Sequence, residues 1–134
     1  MRVHGSCHCG AIAYEAEVDP ARASVCHCGD CQTLSGAAFR ASVPAMVEDF
    51  HLLQGVPKTY VKTAQSGNRR IQAFCGDCGS PLYSADAVGA KTYTLRIGVM
   101  AERAALPPKR QIWCESALPW SKDLLPLPKI EKQQ

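Results

Sequence analysis

Seven of the eight cysteines lie in three short clusters, whose spacing is typical of metal ligands. The clusters are Cys7-His8-Cys9-Gly10, Cys26-His27-Cys28-Gly29-Asp30-Cys31 and Cys75-Gly76-Asp77-Cys78-Gly79. Zinc prefers four ligands at the corners of a tetrahedron, and thiolate sulfur suits it well. The Cys-x-x-Cys turn of the third cluster, followed by glycine, brings two sulfurs to one metal ion and leaves two positions for other residues.

Two pairs of residues can complete the site at the third cluster: Cys7 with Cys9, or two members of the middle cluster. In an extended segment, Cys-x-Cys puts both side chains on one face. Cys7 and Cys9 can therefore close a tetrahedral site with Cys75 and Cys78. A site with four thiolates has no position for a substrate, so its zinc ion would stabilise the fold.

The middle cluster then keeps three thiols of its own. Cys26 and Cys28 share a face, and Cys31 follows on a turn. Three protein ligands and one vacant position are typical of a catalytic zinc site, where water or substrate takes the fourth place. The sequence therefore predicts two zinc ions per chain, one closed and one open.

Two alternatives remain for the middle cluster. Cys28 and Cys31 also form a Cys-x-x-Cys pair, which is typical of a redox dithiol. Alternatively, His8, His27 or Cys114 completes the second site, and both metals are structural. We expect His27 to point away from the neighbouring sulfurs as a packed or hydrogen-bonded side chain.

Two other residues near these clusters have ordinary explanations. Asp30 is expected to stabilise a turn, although it could also hydrogen-bond to a metal ligand. Cys114, the eighth cysteine, is expected to be a buried free thiol.

Composition and charge place these cysteines in a globular protein. The chain has 134 residues, 46% of them hydrophobic and 20% charged, and a formal net charge of +3. The basic residues are scattered, so no nucleic-acid partner is expected. No stretch resembles a signal peptide or reaches the roughly 18 to 20 apolar residues that cross a bilayer. We expect a cytoplasmic protein, in which clustered thiols bind metal more often than they form disulfides.

The elements that must position the cysteines are mostly strands. Residues 11–18 alternate, with Ile12, Tyr14, Ala16 and Val18 on one face. Further strands are predicted at residues 38–43, 59–63, 71–74, 82–84 and 92–99, and short helical turns at 28–34 and 99–105. The proline-rich tail should run over the surface, with 131–134 frayed. The predicted fold is a twisted antiparallel β-sandwich with few short helices, stabilised by zinc, in one domain spanning residues 1–134.

The clusters and their surroundings resemble those of the glutathione-dependent formaldehyde-activating enzymes, a family that includes centromere protein V. The resemblance is carried by the segments 5–12, 26–31 and 74–82, by Gly36 and Phe39, and by Trp113 and Pro119-Trp120. It therefore extends from Gly5 to Trp120, nearly the whole chain.

The resemblance implies a β-sandwich with two zinc ions. By likeness to the family, Cys7, Cys9, Cys75 and Cys78 hold a structural zinc, and Cys26, Cys28 and Cys31 hold a catalytic zinc. The implied reaction is the condensation of formaldehyde with glutathione to S-hydroxymethylglutathione, or its reverse, as in a carbon–sulfur lyase. The implied partners are a small thiol such as glutathione and an aldehyde. The alternative is a non-catalytic zinc module that binds another protein.

A glutathione site needs cationic or backbone donors for two carboxylates. Four arginines are available, but each is expected at the solvated surface: Arg40, Arg69, Arg70 and Arg96. Four aromatic residues could line an apolar cleft or pack in the core: Phe39, Phe74, Trp113 and Trp120.

Overall fold

The protein is built from ten strands and one α-helix, in a computed structural model that describes residues 1–133. The helix α1 spans Gly29–Ser35. The strands are β1 (Arg2–Ser6), β2 (Ala13–Glu17), β3 (Ser24–Cys26), β4 (Arg40–Met46), β5 (Phe50–Gln54), β6 (Lys58–Thr63), β7 (Arg69–Phe74), β8 (Pro81–Asp86), β9 (Thr92–Arg96) and β10 (Arg110–Ile112). No helix within residues 1–133 is long and apolar enough to cross a membrane.

The strands form two sheets. The small sheet has the order β1-β2-β5, and the large sheet has the order β10-β3-β4-β9-β8-β7-β6. Neighbouring strands are antiparallel, except that β10 runs parallel to β3. The prediction of a mainly β, antiparallel fold with few short helices is confirmed.

The core contains the apolar faces of both sheets. The predicted face of β2 is confirmed, because Ile12, Tyr14, Ala16 and Val18 are all buried. They belong to the same core as the alternate apolar residues of the large sheet, such as Val43, Ala45 and Leu95. Burying apolar surface of this kind is the main source of folding free energy, at about 25 cal/mol per Å².

The opposite face of the large sheet is polar, although much of it is buried. On β4, Arg40 and Ser42 alternate with the core residues Ala41 and Val43, and Ser42 pairs in register with Arg96 of β9. Arg40, Ser42, Gln72, Ser84 and Arg96 are each at most 8% exposed. This polar face forms the floor of the cavity described below.

Six of the predicted strands correspond to β2, β4, β6, β7, β8 and β9, with shifted ends. Strand β9 ends at Arg96, and Ile97–Val99 form a 3-10 turn. The short helical turn predicted within 99–105 is confirmed as a 3-10 turn at Arg103–Ala105. The sequence did not indicate β1, β3, β5 or β10, because β3 and β10 have three residues each and β5 is mostly exposed.

The tail is also more structured than predicted. It forms β10 and two 3-10 turns, Cys114–Ser116 and Pro119–Lys122. Backbone pairing with β3 therefore fixes its first part, which a proline-rich composition does not reveal.

Gly5 leaves the space that Tyr14 needs. The two residues are cross-strand partners in β1 and β2, and a Cβ atom at Gly5 would overlap the buried Tyr14 ring. We expect Gly5→Ala to lower the free energy of unfolding by about 1–3 kcal/mol, because the ring must shift within a packed core. Gly98→Ala is the control, since nothing lies within 4 Å of its added Cβ atom. Urea unfolding of both variants measures the difference, and equal midpoints would contradict the packing argument.

Candidate functional site

The first cysteine cluster joins the two sheets. Cys7 and Cys9 lie in the turn between β1 and β2, and Cys75 and Cys78 lie in the turn between β7 and β8. The Sγ atoms of Cys7 and Cys9 are 3.7 Å apart, those of Cys9 and Cys75 are 3.8 Å apart, and all four lie within 4.8 Å of one another. Sulfurs about 2.3 Å from a tetrahedral zinc ion would be about 3.8 Å apart, so this donor set fits the metal.

Cys7 and Cys9 reach this cluster from a turn. The extended Cys-x-Cys geometry was wrong, because β1 ends at Ser6 and the chain reverses through Gly10, whose φ is 82°. The backbone N–H of Cys7 donates to the carbonyl of Ile12, 3.1 Å away, which closes the turn.

Backbone and hydroxyl groups surround the sulfurs of this cluster. The N–H groups of Ile12 and Asp77 donate to Cys7 Sγ at 3.2 Å and to Cys75 Sγ at 3.4 Å. Hydrogen bonds from the Ser80 hydroxyl and N–H lower the pKa of Cys78 to about 5. Such bonds favour the thiolate, which is the form that binds metal.

The second cluster is formed by the end of β3 and the start of α1. Cys26 is the last residue of β3, Cys28 is the N-cap of α1, and Cys31 lies in the first turn of that helix. The Cys31 N–H donates to Cys28 Sγ at 3.3 Å, so the metal-ligand spacing is also the capping geometry. The three Sγ atoms lie within 4.8 Å of one another.

The pKa values of Cys26 and Cys28 are shifted in opposite directions. Burial raises the pKa of Cys26 to about 12, together with hydrogen bonds and charge from the neighbouring thiols. Burial also opposes ionisation of Cys28, but the Cys31 N–H, the neighbouring thiols and the Lys62 ammonium lower its pKa below the usual value. The surroundings of Cys28 therefore favour the ionised form more than those of Cys26 do.

The three other residues considered as ligands lie outside these clusters. Within residues 1–133, neither His8, His27 nor Cys114 joins the three-thiol group. His27 is buried, its Nε2 lies 2.8 Å from Gln111 Oε1, and its ring packs edge-on against Phe39. The interpretation of His27 as a packed, hydrogen-bonded residue is confirmed.

The expectation that Cys114 is buried was wrong, since it is exposed in a 3-10 turn at the surface.

The three-thiol cluster opens into a cavity of about 560 Å³. The cavity lies over the polar face of the large sheet, and its lining includes Cys26, Cys28, Cys31, Asp30, Arg40, Ser42, Lys62, Arg70, Gln72, Ser84, Arg96 and Trp113. It is large enough for a small organic substrate next to the thiols. Trp113 lines this cavity, whose floor is polar, and Trp120 is 61% exposed and does not pack in the core.

The expectation that the arginines lie at the solvated surface was wrong for two of the four. Arg40 and Arg96 are buried, whereas Arg69 is exposed and Arg70 is half-buried. In the sequence, Arg40 on β4 and Arg96 on β9 alternate with core residues in the same way as polar residues on a solvated strand face. The sequence could not reveal that other elements cover this face.

The buried arginines are held by neutral partners. Arg40 Nη1 and Arg96 Nη2 donate to the same Gln72 Oε1, at 3.2 and 3.3 Å, and Arg96 Nη1 donates to Ser42 Oγ at 2.8 Å. Burial, and then the Arg40 guanidinium, lower the pKa of Arg96 to about 9. Among residues 1–133 neither guanidinium pairs with a carboxylate, so this end of the cavity attracts anions.

Contacts from α1 and the tail cover the cavity. Asp30 in the first turn of α1 pairs with Lys62 of β6 at 2.8 Å, which links the helix to the far edge of the large sheet. Gln32 Nε2 donates to the carbonyls of His27 and Ser116, at 2.8 and 3.1 Å, and so ties the helix to the tail. Asp30 therefore contributes an ion pair besides its place in the first helical turn.

Comparison with known proteins bears on the fold and on the family of the chain. A crystal structure of a Rhodobacter sphaeroides protein, a structural genomics target, is similar, with a TM-score of 0.62 and 20% sequence identity over 83% of this chain and 99% of that one. At this identity the likeness shows the fold. No curated protein matches the chain. The family described as "Glutathione-dependent formaldehyde-activating enzyme" matches residues 2–116. The chain therefore belongs to the family of glutathione-dependent formaldehyde-activating enzymes.

Proposed function

We propose that this protein is a zinc-dependent enzyme of the carbon–sulfur lyase type, which makes or breaks adducts between a thiol and an aldehyde. S-hydroxymethylglutathione, formed from formaldehyde and glutathione, is the adduct that the family description suggests. One observation carries the proposal: three clustered thiols without a fourth protein ligand among the described residues open into a cavity of substrate size. A saturated site would have no place for a substrate.

The proposed reaction needs a thiol, an aldehyde and one proton transfer. In the condensation, the sulfur forms a bond to the carbonyl carbon, and the thiol proton ends on the former carbonyl oxygen. No electron is gained or lost, so no redox partner is required. A zinc ion held by three thiolates supplies a fourth position where a substrate thiol ionises or an aldehyde oxygen is polarised.

The protein's own residues would hold and surround the reactants. Cys26, Cys28 and Cys31 would be the ligands of the open zinc, at one wall of the cavity. Hydrogen bonding by the Cys31 N–H and the charge of Lys62 favour the Cys28 thiolate needed for that role. Trp113, from the tail, would restrict the access of water.

The first cluster would hold a second zinc ion with a structural role. Cys7, Cys9, Cys75 and Cys78 supply four thiols, and their sulfur separations match the edges of a zinc tetrahedron. A reducing compartment such as the cytoplasm suits both sites, because their thiols must stay free of disulfides. The total would be two zinc ions per chain.

Metal content tests the assignment of the two clusters. We expect the purified protein to contain close to two zinc ions, of which the one in the three-thiol site passes faster to a chelator because its coordination is open. Cys78→Ser should lose one zinc and unfold at a clearly lower temperature, since structural zinc contributes folding free energy. Cys28→Ser should lose the other zinc and stay folded. Elemental analysis and thermal unfolding measure both effects.

Cys114→Ser is the matched control for these variants, because Cys114 is exposed and lies outside both clusters. It should keep both zinc ions and the parent's melting temperature. A Cys78→Ser protein with the parent's melting temperature would contradict the structural role of the zinc ion in the first cluster. A slow second zinc that survives Cys28→Ser would instead favour a non-catalytic zinc module.

Turnover tests the reaction. We expect the zinc-loaded protein to accelerate the exchange between ¹³C-formaldehyde, glutathione and their adduct, measured by exchange NMR at equilibrium. Cys28→Ser should return the exchange to its spontaneous rate, because the site for the reacting thiol is lost. Cys114→Ser should leave the rate unchanged. Exchange at the spontaneous rate with the fully zinc-loaded parent would contradict the proposed reaction for these substrates.

A further inference from the structure

The chemistry of a thiol and an aldehyde does not require the two buried arginines of the cavity. Within residues 1–133, Arg40 and Arg96 hydrogen-bond to the neutral side chains of Gln72 and Ser42, and neither pairs with a carboxylate. The other cations of the cavity do have partners: Arg70 pairs with Asp86 and Lys62 with Asp30. Burying a guanidinium without a counter-ion is costly, and a ligand that supplies the missing charge would relieve that cost.

The cysteine thiolates do not neutralise the charge of the two buried guanidinium groups. Three thiolates that hold one divalent zinc ion carry one net negative charge, whereas Arg40 and Arg96 carry two positive charges. One positive charge is left over. When the thiols are protonated and hold no metal, the surplus is larger. Before any substrate thiol ionises at the metal, the cavity therefore has an uncompensated positive charge, whether or not metal is bound.

The donors for such a group are already in place. Arg40 donates to Gln72 through Nη1 alone. Its Nη2 makes no hydrogen bond to the described residues and is not fully buried, and Arg40 is among the residues that line the cavity. Arg40 Nε and Gln72 Nε2 are fully buried without a hydrogen-bond partner among residues 1–133. Guanidinium groups bind carboxylates through paired hydrogen bonds, so a carboxylate is an anion that fits these donors.

These donors lie next to the three-thiol cluster. Arg40 on β4 pairs in register with Cys26 on β3, and antiparallel partners have Cβ atoms about 4.5–5.5 Å apart. Arg96 and Arg70 line the same cavity from β9 and β7. A ligand with its sulfur at the thiol cluster could therefore place a carboxylate among the arginines across only a few bonds.

We propose that Arg40 and Arg96, with Arg70 beside them at the cavity wall, form a carboxylate-binding subsite, which makes the substrate a thiol, or its aldehyde adduct, with a carboxylate a few bonds from sulfur. The inference rests on the proposed function for the thiol end of the ligand, but not for the carboxylate end. Two sources share this chemistry: a small mercaptocarboxylate and the peptide carboxylate of glutathione.

Calorimetry on the zinc-loaded protein tests the subsite with matched ligands. The first pair is 3-mercaptopropionate and its uncharged methyl ester, and the second is glutathione and its glycine monoethyl ester. We expect the acid to bind about tenfold or more tightly than its ester in at least one pair, because charge-assisted hydrogen bonds are lost in the ester. The pair that shows the preference identifies the source of the carboxylate. Equal affinities within both pairs would overturn the inference.

Two neighbouring arginines on β7 provide matched variants. Arg70 lines the cavity, whereas Arg69 is exposed and outside it, and either change to alanine removes one positive charge. We expect Arg70→Ala to weaken binding of the acid several-fold without affecting the ester, and Arg69→Ala to change neither. Arg96→Gln, checked for folding by circular dichroism, should remove most of the preference. An unchanged acid-to-ester ratio in Arg70→Ala and folded Arg96→Gln, or an equal loss in Arg69→Ala, would contradict the subsite.

The binding result is separable from turnover. A preference for the acid without accelerated formaldehyde exchange would keep the carboxylate subsite and contradict the proposed reaction. Accelerated exchange without any preference for the acid would keep the reaction and contradict the subsite.

Discussion

The meeting of four cysteine sulfurs between the two sheets is the constraint on which the rest of the structure depends. The small sheet has three strands, and a sheet of that size needs a packed face or a cross-link to be stable. The cluster links its first turn to the β7–β8 turn of the large sheet, across 66 residues between Cys9 and Cys75. A metal ion at this point would close a long loop and fix how the apolar faces meet. Cys7 and Cys75 belong to the buried core, whereas Cys9 and Cys78 are exposed, so the cluster lies where the core meets the surface.

The second cluster depends on the packing of the two sheets in a different way. Its ligands come from one short segment, in which β3 ends and α1 begins, so local backbone geometry is enough to gather them. Strand pairing in the large sheet determines which residues surround the cluster. Pairing of β3 with β4 sets Cys26 beside Arg40, and pairing of β10 with β3 brings the tail over the cavity. Local geometry thus makes the thiol cluster, and tertiary structure gives it a cationic cavity.

The sequence predicted the features that follow from short-range rules. The alternation around Tyr14 and the clustered cysteines were sufficient to predict the main strands and both thiol groups. The burial of Arg40 and Arg96 was not predictable, because a polar strand face looks the same whether water or a cavity covers it. The partner of Lys62 was hidden for a similar reason, since Asp30 lies 32 positions away and meets it only through the fold. The three-residue strands of the tail and of β3 carry too little periodicity to be recognised.

The identity of the buried cations also limits what the cavity can do. A lysine in the place of Arg96 could lose its proton when buried, and the cavity would then lose its charge. Guanidinium keeps a planar set of donors, and here two of them share one Gln72 oxygen. That shared contact holds both groups in position while their charge stays uncompensated by any carboxylate in residues 1–133. The floor is therefore organised before a ligand arrives. An anion that enters meets donors already oriented, and much of the ordering cost has been met during folding.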